Sequence, residues 1–466
     1  MEQRDVIVVG GGPSGLAVGA LLAKGGKRVV VLEGRKRVGG RATSFPVMEI
    51  LTEFAFHGLV AGGHVEKLLP ALGQPVPMVK MEPNFVIYHN KKFFEVPGKP
   101  GEFAKFDYIP QGDRAELVEI LRLIEKMPFE EAEDYDSMTW GDWIRERTSS
   151  RAIFDFLALF ATVILTDEFM SNLAAGEVIR SLRLALKEGG WSVYPKEGAF
   201  TAINEALARA VKAMGGEVRC QMQVREVTVQ DNAVKGVIMD GPEGVLKLEA
   251  PIIVLAFPVW DIFKIISSHS FPGWFVDRVN YLEQHTNMAG IGGMGITFVS
   301  SAPLHPYKTA VIVPSTSPEN ASGASYIKWL AEPTNWAPSL SVKGRHLIQY
   351  GPVLPRYYAQ LLQERPSIYE KESNGLWQET WKMFPNFKQE NILWKGGAVM
   401  FLGDYTMKFP GNSWKQRLDI KAPGVNGLYL VGDTVRHWSA GTDGAVHSAI
   451  LCAGRILKTK IAPSNF

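Results

Sequence analysis

Val6-Ile7-Val8-Val9-Gly10-Gly11-Gly12-Pro13-Ser14-Gly15, closed at the far end by Val29-Val30-Val31-Leu32-Glu33, is the stretch that decides the fold. Four consecutive β-branched residues read as a parallel strand buried on both faces. The Leu- and Ala-rich residues 16–23 read as a helix that ends at Gly25-Gly26, and residues 29–32 as a second buried strand. Gly10 allows the tight turn off the strand, Gly12 lets the backbone approach a pyrophosphate, and Gly15 allows close packing of helix on strand. Pro13 and Ser14 open the helix, whose free N–H groups and dipole favour phosphate charge. Glu33 lies eighteen positions beyond Gly15 and can accept the hydroxyls of an adenosine ribose. With Gly34 and Arg35 after it, the unit reads as a dinucleotide site.

Working outward, 466 residues exceed one ordinary core, so two or three domains are expected. A net charge of +2, with no long basic run, speaks against a nucleic-acid partner. Aromatic residues, including 12 Trp and 24 Phe, are numerous enough to line a large apolar pocket as well as a core. Only Cys220 and Cys452 occur, outside any metal-ligand spacing, so neither a disulfide scaffold nor a bound metal is expected. The chain enters its first strand within five residues, so no signal peptide and a cytoplasmic location are expected. The longest apolar run, 152–166, is too short to span a bilayer and contains Asp155, which favours core over a pocket wall or a membrane-dipping face. No basic amphipathic helix demands membrane binding, although a lipid substrate is compatible with peripheral contact.

Beyond the second strand stands Arg35-Lys36-Arg37-Val38-Gly39-Gly40-Arg41-Ala42-Thr43. A glycine pair followed by arginine just past the ribose-binding acid resembles the flavin-dependent amine oxidase and carotenoid (phytoene) desaturase superfamily. The resemblance implies FAD as cofactor. It places Gly40, Arg41 and Ala42 against flavin and pyrophosphate, with Arg41 as a charge partner for phosphate. In Glu53-Phe54-Ala55-Phe56-His57-Gly58 the family commonly carries an acid where Phe56 stands. His57 and Gly58 are expected near the flavin, against the alternative of a histidine satisfied within a turn.

Residues 73–110 shift towards Pro, Gly and Lys, with a hairpin over 85–96. An amphipathic helix is predicted over 114–126, with Leu117, Ile120, Leu121 and Ile124 on one face. More helices follow through Trp140-Gly141-Asp142-Trp143 and residues 152–166, and the region reads as an inserted substrate domain. The superfamily pattern returns at Tyr194-Pro195-Lys196-Glu197-Gly198, a helix over 202–214 and strands over 223–227, 234–239 and 250–258. There the resemblance implies that the Val224 backbone meets the adenine edge.

Between 261 and 401 the likeness fades, with strands predicted over 296–299, 310–313, 326–330 and 346–350 and helices over 357–364 and 375–383. Gly290-Ile291-Gly292-Gly293-Met294-Gly295 repeats the glycine spacing, but it precedes a strand and opens no helix. A second nucleotide site, and with it a built-in NAD(P)H partner, is therefore rejected. No lysine lies between Lys264 and Lys308, where amine oxidases of the superfamily commonly place one. That leans away from a typical amine oxidase.

The likeness resumes at Gly427-Leu428-Tyr429-Leu430-Val431-Gly432-Asp433, where Gly432 and Asp433 are implied to meet the ribityl chain. The last helix opens after Trp438-Ser439-Ala440. Its Gly444, Ala445 and Val446 N–H groups are implied to stabilise negative charge at the flavin N1–C2=O edge.

The expected class is α/β. A Rossmann-type FAD-binding domain would be assembled from residues 1–70, 190–258 and 396–466. An α+β substrate domain with a mixed sheet and helices would be built from 71–189 and 259–395. The expected activity is FAD-dependent hydride removal from an apolar, isoprenoid- or lipid-like small molecule, with oxygen or a quinone as electron acceptor. Isomerisation of a polyene or fatty acid, amine oxidation and a non-enzymatic prenyl-protein binding role are the alternatives. Intact Gly10–Gly15, Glu33, Arg41 and Asp433 argue against the last. No catalytic acid or base is assigned; His57, His437 and Asp443 flank the expected flavin.

Overall fold

Val6–Val9 is buried throughout, and both of its edges are taken by parallel neighbours. The computed structural model describes residues 2–53, 57–165, 173–188, 192–314, 327–401, 408–459 and 461. In the five-stranded parallel sheet the order is Glu217–Cys220, Val29–Glu33, Val6–Val9, Ile253–Leu255, Leu428–Leu430. Strands buried on both faces need unbroken apolar sequence, which is why this sheet was readable as runs of Val, Ile and Leu. The helices Pro13–Lys24, Ala199–Ala213 and Gly441–Leu457 pack together. The chain moves to one side of Val6–Val9 with its second strand and to the other side with Ile253–Leu255. That reversal opens a crevice at the carboxyl end of the first strand, where α/β sheets bind ligands.

A smaller sheet, in the order Glu2–Gln3, Gly244–Glu249, Ala233–Gly241, Gln223–Gln230, is antiparallel apart from its terminal parallel pair. A seven-stranded mixed sheet runs Ile392–Phe401, Ile291–Ser300, His346–Pro355, Ile327–Ala331, Val311–Pro314, Val86–His89, Lys92–Glu95. Only the pair Val311–Pro314 with Val86–His89 is parallel in it. On one face Ile87, Ile312, Ile327 and Val353 meet a helical cluster centred on Phe103, Trp140, Trp143, Phe156 and Phe160. On the other, Ile296, Phe298, Ile348 and Tyr350 pack with Leu362, Leu376, Trp377 and Trp381.

The hairpin forms with strands Val86–His89 and Lys92–Glu95, and the helix Arg114–Lys126 buries Leu117, Ile120, Leu121 and Ile124 as predicted. The apolar run is the helix Arg151–Leu165, core along most of its length but with half-buried Val163 and Ile164 on a cleft wall; residue 166 lies outside the described residues. Asp155 pairs with Arg151 at 3.0 Å, and buried Thr162 donates to the Ala158 carbonyl at 3.1 Å.

Four expectations need correction. The second glycine run does not precede a strand but lies inside one, Ile291–Ser300, where Gly292 and Gly293 are paired on both edges. A Cβ on the facing Gly351 would collide with the Met294 carbonyl, so small residues serve close strand approach there. The helix Gly273–Ala289 was not foreseen. The helix expected over 375–383 starts at Pro366, and the strand expected over 346–350 continues to Pro355. Tyr326, Phe54, Ala55 and Phe56 lie outside the described residues. Among the described residues no helix is long and apolar enough to cross a membrane, and no cluster of His, Cys, Asp or Glu suits a metal ion. Cys220 and Cys452 are free thiols.

Candidate functional site

The turn after the first strand is shaped by its own backbone. Gly10 sits at φ +112°, a region that side chains strain to adopt, and a Cβ on Gly15 would collide with the Gly10 carbonyl oxygen. A Cβ on Gly12, by contrast, would meet only the Cα of Gly40, at 3.9 Å. The space above Gly12 is therefore open, bounded by a second glycine-rich loop. That loop is tied down by the Gly39 N–H, which donates to the Gly11 carbonyl at 2.8 Å. Gly12 is the N-cap of Pro13–Lys24, and no side chain caps the helix. Its first-turn N–H groups are left for a ligand, and the dipole favours an anion there. An open, uncapped cradle of this kind fits a pyrophosphate.

Glu33 ends the second strand with its carboxylate at the turn. Its Oε2 accepts from the Gly11 N–H and its Oε1 from the Arg35 N–H, each at 2.8 Å. Each oxygen keeps a second lone pair for a ribose hydroxyl. A Cβ on Gly34 would strike the Gln223 side chain, so a glycine lets that strand come close. The Met222 N–H donates to the Glu33 carbonyl at 2.9 Å, which brings buried Val224 beside the acid, at a bulge opposite Met239.

The two ends of the chain meet at Arg41 and Asp433. Arg41 Nη2 donates to Asp433 Oδ1 at 2.9 Å and Oδ2 at 3.2 Å. The Ala42 carbonyl accepts from buried Asn204 at 2.7 Å. The Gly432 N–H donates to Ser448 Oγ at 2.8 Å, and Ser448 Oγ in turn donates to the Ala445 carbonyl at 2.6 Å. A Cβ on Gly444 would collide with the His437 ring.

Beyond this cradle a cleft runs between the first turn of the last helix and the helical insert. Gly58, Leu59, Val60, Ala440, Gly441 and Thr442 line it. Phe85, Val163, Ile164, Ser181, Ala185 and Trp329 line it as well, and so does His57, whose ring lies 5.1 Å from that of Phe200.

The three flanking candidates part company here. His57 lines the cleft, whereas His437 and Asp443 do not. The His437 ring nitrogens lie 2.8 Å from Arg417 Nη1, and burial, with Arg417 and Lys408 nearby, holds its pKa well below the ordinary range. Asp443 accepts from the Val65 N–H at 2.8 Å, at the start of the helix His64–Ala71, and burial pushes its pKa up to about 7.

A buried charge network behind the cleft was missed from sequence. Arg180 pairs with Asp136 at 2.6 Å and with Glu177 at 3.3 Å, and Glu177 also accepts from the Trp414 N–H at 2.6 Å. Burial raises the Glu177 carboxyl, but Arg417, Arg180 and Lys408 outweigh it and hold the group below its ordinary value. Lys408, 4 % exposed, donates to the Ser439 carbonyl, and burial brings its pKa down to about 7. No sequence signal could have found these residues, because charged side chains scattered over 280 positions read as surface.

Parallel sheet, open glycine cradle and adjoining cleft together describe an α/β fold of the dinucleotide-binding class. Residues 13–457 match the family model for flavin containing amine oxidoreductases, and the chain belongs to that family. Membership of that family implies FAD as the cofactor. Similar curated proteins include 15-cis-phytoene desaturase from Capsicum annuum, 23 % identical over 292 residues, which are 57 % of this chain and 48 % of that protein. The inactive all-trans-retinol 13,14-reductase of Danio rerio is 22 % identical over an alignment spanning 98 % of this chain and 86 % of its own. The chain spans about half the length of the phytoene desaturases it matches. An oxidoreductase from Methanosarcina mazei superposes with a TM-score of 0.72 at 18 % identity, covering 96 % of this chain and 99 % of that one, and shares the fold.

Proposed function

We propose that this enzyme takes hydride from an apolar, isoprenoid- or lipid-like small molecule held in the cleft. The observation that carries the reading is the cleft lining: Phe85, Val163, Ile164 and Trp329 share it with the first turn of the last helix. Retinol and phytoene in the names of two relatives favour a polyene.

In this reading residues 1–70, 190–258 and 396–466 form the FAD domain, and 71–189 with 259–395 the substrate domain. Gly10, Gly12, Pro13, Ser14 and Gly15 hold the pyrophosphate, and Glu33, Gly34, Arg35 and Val224 hold the adenosine end. Gly40, Arg41, Ala42, His57, Gly58, Gly432 and Asp433 border the flavin, and the N–H groups of Gly444, Ala445 and Val446 lie at the helix end that favours added negative charge. FAD, when bound, would supply the hydride acceptor, with oxygen or a quinone as the final electron acceptor. The apolar walls orient the substrate and keep water out. Desaturation also releases a proton from the neighbouring carbon, and His57 is the ionisable side chain among the described lining residues that can receive it.

The test is anaerobic mixing of the holoenzyme with a polyene panel. Bleaching of the flavin band with a product two hydrogens lighter supports the reading. A product of unchanged mass means isomerisation, and peroxide release from amines alone would overturn the apolar substrate.

A further inference from the structure

The polar groups lining the cleft are not equivalent. Thr309 Oγ1 donates to the Asn84 carbonyl at 2.9 Å, and Asn84 Nδ2 donates to the Pro97 carbonyl at 2.7 Å, so both are engaged by the protein. Ser181 is not. It is 3 % exposed, it lines the cleft, and its Oγ has no hydrogen-bond partner among the described residues. An unpaired buried hydroxyl is costly, and native proteins rarely leave one without a reason.

The helix that carries it, Ala175–Glu188, is fixed in rotation. Glu177 and Arg180 are held by Trp414, Asp136 and each other in the buried charge network. Residues four apart share a helix face, so Ser181 and Ala185 come to the cleft together. Ala185 leaves room beside the hydroxyl, and Val163 and Ile164, which also line the cleft, offer no side-chain partner. A charged ligand group in such a wall would need a counter-charge, which a hydroxyl does not provide.

We propose that Ser181 is a specificity-determining residue whose hydroxyl hydrogen-bonds a neutral oxygen, hydroxyl or carbonyl, on an otherwise apolar substrate. The proposal rests on the cleft being the substrate site and adds an oxygen to the molecule expected there.

The experiment titrates the holoenzyme and its Ser181→Ala and Ser181→Thr variants, without oxygen, with farnesol and with farnesene. These share a carbon skeleton and differ by one hydroxyl. Binding is read from the flavin absorbance and from tryptophan fluorescence, since Trp329 lines the cleft. The wild type is expected to bind farnesol about tenfold tighter than farnesene, the scale of one well-made hydrogen bond. Ser181→Ala should lose that preference while its farnesene affinity stays within about twofold, which also reports that it folds. Ser181→Thr should keep it. Equal affinities in the wild type, or an unchanged preference in Ser181→Ala, would overturn the assignment of Ser181 while leaving the apolar cleft standing. If neither compound perturbs either signal in the wild type, the cleft reading falls and the assignment with it.

Discussion

The carboxylate of Asp443 accepts a hydrogen bond from the Val65 backbone N–H at 2.8 Å, across 378 positions of sequence. The first turn of the last helix thereby caps the start of the helix His64–Ala71, and a Cβ on Gly63 would strike the same carboxylate. Asp443→Ala should cost about 1–2 kcal/mol, as loss of a helix cap does. Burial lifts the folded-state pKa of Asp443 from 3.8 to about 7. The folded protein then binds a proton that the unfolded chain has released between those values, so this contribution is full below 3.8 and is lost as pH rises through about 7. The thermal midpoint of Asp443→Asn minus that of the wild type should therefore grow across this window. A difference flat with pH would refute it.

Gly12 and Gly15 should respond oppositely to alanine. At Gly12 the added methyl enters open space and the backbone is already extended, at φ −76° and ψ 177°. Gly12→Ala should fold with apo stability within about 1 kcal/mol of the wild type, the ordinary range away from a clash, yet purify with little flavin. Gly15→Ala collides with the Gly10 carbonyl and should lose about 1–3 kcal/mol even without cofactor. Flavin-to-protein absorbance ratios and apo denaturation curves check both.

Arg41 and Asp433 form a partly exposed ion pair, with 55 % and 21 % of their side-chain surfaces accessible. Such pairs contribute about 0–1 kcal/mol, so Arg41→Ala should barely change apo stability. Its FAD affinity should fall by at least about tenfold, the scale of a lost charge-assisted contact to phosphate. Isothermal titration of apoprotein with FAD measures it. Undiminished affinity would remove Arg41 from the site.

Lys408 supplies a second pH limb. Burial lowers its folded-state pKa from 10.5 to about 7, so in that interval the unfolded chain binds the extra proton. This contribution to stability rises with pH from about 7 towards 10.5, and the cost of the buried ammonium is fully present below about 7. Lys408→Met removes the titrating group and should flatten denaturation midpoints over that range. Persistence of the slope in Lys408→Met would assign it elsewhere.

The sequence made the parallel sheet legible because a strand covered on both faces has no polar side to interrupt it, as in residues 6–9 and 29–33. The glycine turns were legible because their spacing is itself the constraint. The helix Gly273–Ala289 was not, since Trp274, Tyr281 and Met288 point outward and blur the apolar stripe made by Phe275, Val279 and Leu282. The glycines at 290–295 hid a strand because their partners, such as Leu354 and Val353, lie some sixty positions away. His437 and Asp443 flank the cleft in sequence but face Arg417 and Val65, and direction is set by packing rather than by order. Ser181 carried no signal; only its missing partner marks it.

The five parallel strands are drawn from positions as far apart as Val6 and Leu430, with the edge strand supplied last. During synthesis the glycine turn is made long before Asp433 and the helix Gly441–Leu457 emerge. Long loop closures of this kind slow folding and expose unfinished sheet edges to misassembly. The nascent chain must therefore wait in a partly built state until Leu428–Leu430 and Gly441–Leu457 have been made. Cofactor supply and chaperone protection at that moment bear on how much folded protein a cell obtains.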